Sequence, residues 1–184
     1  MARSEVEQGQ AGNGGGSRSS ATEGGAERAR QGSVERVRAA LLAAGHPDTI
    51  QAFPEGTRSA AEAAAAVGCA VAQIAKSIVF RAGPRPVLVI ASGANRVDMA
   101  KVAAAIGQPV KRADGTWVRD VTGFAIGGVA PVGHLTPPLV LVDEDLAAFD
   151  RVWAAAGSPM HVFATTPAEL LRISGGWSAA VRED

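Results

Sequence analysis

Apolar and polar positions divide the chain into a polar lead and a patterned body. Met1 to Gly32 is rich in Gly, Ser, Gln and Glu, and beyond Met1 its only large aliphatic residue is Val6. Such a segment cannot bury enough surface to offset its ordering entropy, so residues 1–32 are expected to form a disordered tail. From Ser33 the pattern changes. Ser33 is a plausible N-cap, Val34, Val37 and Leu41 follow at helical spacing, and Gly45 is a natural stop. Thr49 to Phe53 predicts a short strand. Ser59-Ala60-Ala61-Glu62 matches a capping box, and the alanine-rich helix it opens ends at Gly68.

Val71 to Ala75 is read as a connector and Lys76 to Arg81 as a strand. Val87 to Ala91 is a continuous apolar run, the pattern of a strand buried on both faces. Asp98 can cap a helix with Met99, Val102 and Ile106 on one face. A short strand is expected at Val110–Ala113, then a brief helix capped by Asp114 that carries Trp117, Val118 and Val121. Phe124 to Ile126 is predicted to be a strand leading into a glycine loop. Leu139 to Val142 predicts a further buried strand. A helix is expected from Glu144 to Phe149, continuing through Val152 and Trp153 to Gly157. Met160 to Phe163 is the last strand, and Thr166-Pro167-Ala168-Glu169 is a strong helix start. Strands and helices interleave irregularly, and some connections are too short for parallel crossovers. The fold class implied is α+β: one domain over residues 33–184, with a mixed sheet covered by helices.

Composition narrows the function. Lys plus Arg and Asp plus Glu both number 18, so the formal net charge is zero. That removes the electrostatic case for tight, non-specific nucleic-acid binding. The single cysteine, Cys69, allows no intramolecular disulfide, which fits a reducing cytoplasm. It follows a helix-ending glycine in an apolar context and reads as a small buried residue. The N-terminus has no apolar secretory core, and no apolar run approaches the ~20 residues of a membrane helix.

Two stretches could carry chemistry. Strand alternation points Ile74, Lys76, Ile78 and Phe80 one way and Ala75, Ser77 and Val79 the other. Lys76 thus stands on an apolar face. Either its ammonium snorkels to an edge, or it lines a cavity and binds a carbonyl, hydroxyl or phosphate oxygen. The second stretch is Gly127-Gly128-Val129-Ala130-Pro131-Val132-Gly133-His134. Its glycines and proline set an unusual path that can aim amide N–H groups at an oxygen, or simply form a tight turn. The histidines His46, His134 and His161 lack neighbours at zinc-ligand spacing, so no metal site is expected. Walker and nucleophile-elbow motifs are absent.

Taken in order, Gln73-Ile74-Ala75-Lys76-Ser77-Ile78-Val79-Phe80, the run Val87 to Gly93, Asp98 with Lys101 and Val102, and Thr122 through His134 resemble the YbaK/ProX family. These proteins are free-standing relatives of the editing domain inserted in bacterial prolyl-tRNA synthetases. The similarity runs from about Ser33 to the C-terminus. It implies the α+β fold of that editing domain and a trans-editing hydrolase that removes a mischarged Cys, Ala or similar small residue from tRNA. Family members lack a metal or other cofactor and generally lack a covalent nucleophile. The resemblance makes Lys76 the anchor of the tRNA end, through the 3′-terminal adenosine or the phosphate beside it. It gives the amides around Gly127, Gly128 and Val129 the ester carbonyl or the attacking water. It places Ser77, Ser92, Gly93, Pro131, Gly133 and His134 around the substrate. The implied partners are mischarged tRNA and, for delivery, a synthetase or elongation factor in the cytoplasm. Such delivery would offset the neutral charge unless Arg81, Arg85, Arg96, Lys101, Lys111 and Arg112 gather on one face. The alternative is a non-catalytic module that binds aminoacyl-tRNA ends or a synthetase.

Overall fold

The computed structural model describes residues 21–184, with side chains from residue 32 onward. The expected tail lies outside the described residues over 1–20. Helix α1 spans Ala21–Ala43, so it runs ahead of Ser33. Ala26 to Gln31 (Ala-Glu-Arg-Ala-Arg-Gln) are all strong helix formers, which propensity favours even without an apolar stripe. Ser33 is therefore a mid-helix residue, not an N-cap, and its hydroxyl donates to the Gly157 carbonyl at 2.7 Å.

Strand β1 (Ile50–Ala52) leads to helix α2 (Ala60–Val67). Ser59 Oγ caps it by accepting from Glu62 N–H, while Glu62 reaches back to the N–H of Arg58 rather than of Ser59. A 3-10 turn precedes β2 (Ile74–Ala82), which turns at Gly83 into β3 (Arg85–Ser92). Helix α3 (Met99–Ile106) is capped by Asp98, β4 is Lys111–Arg112, and α4 (Gly115–Thr122) is capped by Asp114. Then follow β5 (Leu139–Asp143), β6 (Val152–Ala155), β7 (His161–Thr165), α5 (Pro167–Ser174) and β8 (Trp177–Ala179). The predicted caps Ser59, Asp98, Asp114 and Thr166 all accept from first-turn amides.

The strands make one mixed sheet in the order β1-β7-β6-β2-β3-β5-β8, with β4 beside β2. β2 and β3 are antiparallel, whereas β2–β6, β3–β5 and β5–β8 are parallel. One face is covered by α1, α4, α5 and the glycine loop, through Val37, Leu41, Val118, Val129, Val132 and Leu170. The other is covered by α3 and α2: Val102 packs with Phe80, Val87 and Val89, and Ala63 and Ala64 with Ile74 and Trp153. Val87 to Ala91 are fully buried, as their unbroken apolar run predicts. The fold is the expected α+β single sheet with helices on it.

Two further local expectations fail. Glu144 opens only a 3-10 turn over Glu144–Ala148, and Val152 and Trp153 belong to β6 instead of a continued helix. Both are strand formers, and β6 is held between β2 and β7. Phe124 to Ile126 form no strand. Phe124 is a buried plug, with the Arg36 guanidinium 4.8 Å from its ring centre and His134 edge-on to the ring. Strand β8, only three residues long, carries no pattern of its own and is defined by its pairing with β5.

Candidate functional site: a slot in the sheet beside Lys76

Strand β2 is paired to β3 along its length, but its other edge is shared by two short neighbours. β6 pairs with it at Ile74 and Ala75, and β4 pairs with it at Phe80 and Arg81. Between them, among the described residues, no strand lies against residues 76–79. The sheet is therefore split, and two cavities meet at the split. One of ≈ 270 Å³ is lined by Arg58, Ala63, Lys76, Ser77, Gly127 and Trp153, among others. The other, of ≈ 410 Å³, is lined by Lys76, Ile78, Arg96, Arg112, Ile126 and Val129, among others. Lys76, Ser77, Ile78, Gly127 and Val129 border both. Residues on opposite faces of β2 can share a cavity only because the slot passes through the sheet.

Lys76 stands on the α2/α3 face. Its ammonium donates to the carbonyls of Asn95 and of Gly93, the latter at 3.4 Å. Burial holds it below the usual lysine range, partly offset by the Asp143 carboxylate. Asp143 is itself buried and organises this corner. Its carboxylate accepts from Ser92 N–H at 3.0 Å and from Asn95 Nδ2 at 2.8 Å, so it holds the turn whose carbonyls grip Lys76. An ammonium has three N–H donors. With two engaged, one remains to meet an oxygen in the slot.

The glycine loop closes the opposite side. Gly127 adopts a left-handed φ of 89°. At Gly128 a Cβ would lie 2.7 Å from Ser158 Cα, so only glycine lets the loop sit against that segment. The buried side chains of Val129, Ala130 and Val132 root the loop in the core. Ser158 donates to or accepts from His161 Nδ1 at 2.6 Å, and its Oγ also accepts from Met160 N–H at 3.1 Å. Both residues line the smaller cavity.

The structure brings Lys76, Ser77, Gly127 and Val129 together, with Gly128 between the last two. The remaining residues expected around a substrate stand apart from both cavities. Ser92 is buried and its hydroxyl donates to Ala72 O at 2.8 Å. Gly93 is a close-packing position, where a Cβ would meet Val71 O at 2.3 Å, and it contributes its carbonyl to Lys76. Pro131 is buried. Gly133 offers its carbonyl to Arg36 Nε at 2.6 Å. His134 Nε2 bonds the Ala130 carbonyl at 2.6 Å, closing the loop on itself, and burial pushes its pKa down. Cys69 is half-buried, not fully buried, with its thiol pushed up by burial.

Several bordering residues carried no sequence signal: Arg58, Trp153, Ser158 and His161 reach the site only through tertiary packing. Of the basic residues named earlier, Arg81 and Arg85 lie on the β2–β3 hairpin, and β4 brings Lys111 and Arg112 beside Arg81. Arg112 and Arg96 both border the larger cavity, where Arg96 pairs with Glu183 at 3.6 Å, and Lys101 pairs with Asp184 at 2.6 Å. Among the described residues no cluster of His, Cys, Asp or Glu could hold a metal ion, and no helix is long and apolar enough to cross a membrane.

These features define an α+β domain whose sheet opens into a slot, with Lys76 on one side and a glycine loop on the other. Residues 54–173 match the aminoacyl-tRNA editing domain, and the chain belongs to that family. It is 30% identical over 143 residues to the uncharacterized protein YwhH of Bacillus subtilis (strain 168), covering 77% of this chain and 91% of that protein. It is 44% identical to a crystal structure of a proposed trans-editing enzyme for prolyl tRNA synthetase, covering 83% of this chain and 98% of that one, with a TM-score of 0.79. It is 27% identical to the hypothetical protein APE2540, covering 80% of this chain and 99% of that one, with a TM-score of 0.75.

Proposed function

We propose that the protein is an aminoacyl-tRNA deacylase that clears a small mischarged amino acid, such as Cys or Ala, from tRNA. The observation that carries this reading is the slot itself, where Lys76 of β2 and Gly127 and Val129 of the loop border the same cavity. Family membership supports editing of aminoacyl-tRNA as the general task.

In this reading the free N–H of Lys76 holds a ribose or phosphate oxygen at the 3′ end of the tRNA. The Gly128 N–H is engaged by the Ala125 carbonyl at 2.9 Å, so the Gly127 and Val129 amides are the ones that face the ester and its attacking water. Water adds to the ester carbonyl carbon, the acyl–oxygen bond to the terminal ribose breaks, and the ribose oxygen leaves with a proton that originates on the water. The products are the free amino acid and intact tRNA. An aminoacyl ester is already activated, so positioning and charge stabilisation suffice without a strong base. Ala63, Ile74, Trp153 and Val162 give the smaller cavity an apolar wall. A single methylene is worth only about 1–3 kcal/mol in such a wall, so larger amino acids are rejected by shape. Arg96 and Arg112, beside the larger cavity, supply positive charge for the tRNA backbone.

The test is a panel of Cys-, Ala- and Ser-charged tRNAs incubated with purified protein. Ester loss above the spontaneous rate is expected for at least one, and Lys76→Ala lowers it by about tenfold or more while the fold persists. No loss on the whole panel overturns the proposal. Unchanged activity in the variant removes Lys76 from the mechanism.

A further inference from the structure

Among the described residues, the split in the sheet leaves residues 76–79 of β2 without a partner strand on one edge, and of these Ser77 and Val79 turn their main-chain groups to that edge, Val79 next to the residues paired with β4. The Gly93 N–H donates to the Ile74 carbonyl at 2.7 Å, so Ile74 turns its main-chain groups toward β3. Two-residue alternation turns those of Lys76 and Ile78 the same way, and those of Ser77 the opposite way. Ser77 lies between Ala75, paired to β6, and Phe80, paired to β4, with no strand opposite it. Its N–H and C=O therefore face the slot. Its hydroxyl is also buried without a hydrogen-bond partner. In an antiparallel sheet, such a residue exchanges two hydrogen bonds with the one residue facing it.

We infer that the acyl group of the substrate binds as a one-residue antiparallel strand on Ser77. The α-amino N–H donates to the Ser77 carbonyl oxygen, and the Ser77 N–H donates to the acyl carbonyl oxygen. This rests on the deacylase reading and deepens it by assigning the groups that hold the α-amino acid, the Ser77 N–H and C=O. The Ser77 N–H contact strengthens as the carbonyl oxygen gains charge during attack by water. That leaves the loop amides to orient the water. Antiparallel pairing also sets direction. The ester end points toward the start of β2 and the cavity bordered by Lys76 and Arg58. Directly opposed residues share a face of the sheet, so the amino-acid side chain falls on the Ser77 side, against the loop that carries Val129.

The experiment compares two non-hydrolysable probes by calorimetry on the full chain: 3′-deoxy-3′-(L-alanylamino)adenosine and its 3′-propionylamino counterpart. They differ only in the α-amino group. The alanyl probe is expected to bind about tenfold tighter, because the propionyl probe leaves the Ser77 carbonyl without a donor. Electrostatics alone would favour the opposite order, since Lys76 and Arg58 border the cavity and its lining holds no acidic side chain. Ser77→Ala keeps both main-chain groups and retains the tenfold ratio, whatever it does to absolute affinity. Ser77→Pro removes the N–H at an edge position that tolerates proline and weakens the alanyl probe about tenfold. If that variant does not fold, the two probes on the unaltered protein decide alone. Equal affinity for the two, binding of neither, or loss of the ratio in Ser77→Ala overturns the inference. A chain that separates the probes but hydrolyses no charged tRNA sinks the deacylase reading and keeps this one. A chain that hydrolyses charged tRNA yet binds the probes equally does the reverse.

Discussion

Gly128→Ala tests whether the loop is held at a defined distance from the slot. A Cβ on Gly128 would lie 2.7, 2.9 and 3.0 Å from the Cα, N and C atoms of Ser158. All three are backbone, so no side chain can swing aside. Ser158 cannot retreat either. Its hydroxyl is engaged with His161 and with Met160 N–H, and the preceding Gly157 carbonyl accepts from Ser33 at 2.7 Å. Gly157 itself is backed onto α1, where a Cβ would meet Ser33 O at 2.7 Å. The loop must therefore move by about 0.7 Å to restore an ordinary 3.4 Å contact. Overpacking of this kind costs about 1–3 kcal/mol. A displacement approaching 1 Å near the chemistry costs on the order of a hundredfold in rate. The assays are urea unfolding and deacylation of whichever charged tRNA the panel identifies. Gly115→Ala is the control. Its Cβ meets only Ile126 Cδ1 at 3.5 Å, and the site is the first residue of α4, so it should gain about 0.5–1 kcal/mol. A Gly128→Ala protein with unchanged stability and near-normal turnover would refute the reasoning.

Two further predictions concern the support behind the loop. Arg36 donates to the Gly133 carbonyl at 2.6 Å and the Gly123 carbonyl at 3.0 Å while lying over Phe124, so Arg36→Leu should cost about 1–3 kcal/mol in a denaturant titration; no change would mean that water replaces it freely. His134 is held neutral by burial, its pKa below the ordinary 6.5. The unfolded chain therefore binds more protons in the acid range, so this group's contribution is full above pH 6.5 and is lost as pH falls through the folded value. The urea midpoint should drop between neutral and mildly acid pH. His134→Gln should flatten that dependence, leaving the share from His161, whose pKa burial also lowers. An unaltered slope in the variant would assign the acid sensitivity elsewhere.

What the sequence determined by itself is local. Ser59, Asp98, Asp114 and Thr166 cap helices because a short polar side chain can reach a first-turn amide within a few residues of itself. Gly68, Gly107, Gly123 and Gly175 end them because each takes a left-handed φ that other residues resist. The run Val87 to Ala91 announced a strand buried on both faces. The pairing of Lys76 with the glycine loop was legible only through the family pattern, since each stretch alone was compatible with a structural role. Tertiary structure decided the rest. Val152 and Trp153 continue a helical spacing on paper, yet β2 and β7 offer them strand partners, and pairing together with their β propensity outweighs that spacing. The motif puts His134 beside the glycine loop, but only packing decides its surroundings: its Nε2 bonds the Ala130 carbonyl, its ring stands edge-on to Phe124, and its Nδ1 is buried without a partner. The slot itself could not be read from the chain. It exists because β6 and β4, distant in sequence, both stop short along the same edge of β2. An absent strand pairing leaves no mark on the residues that would have made it.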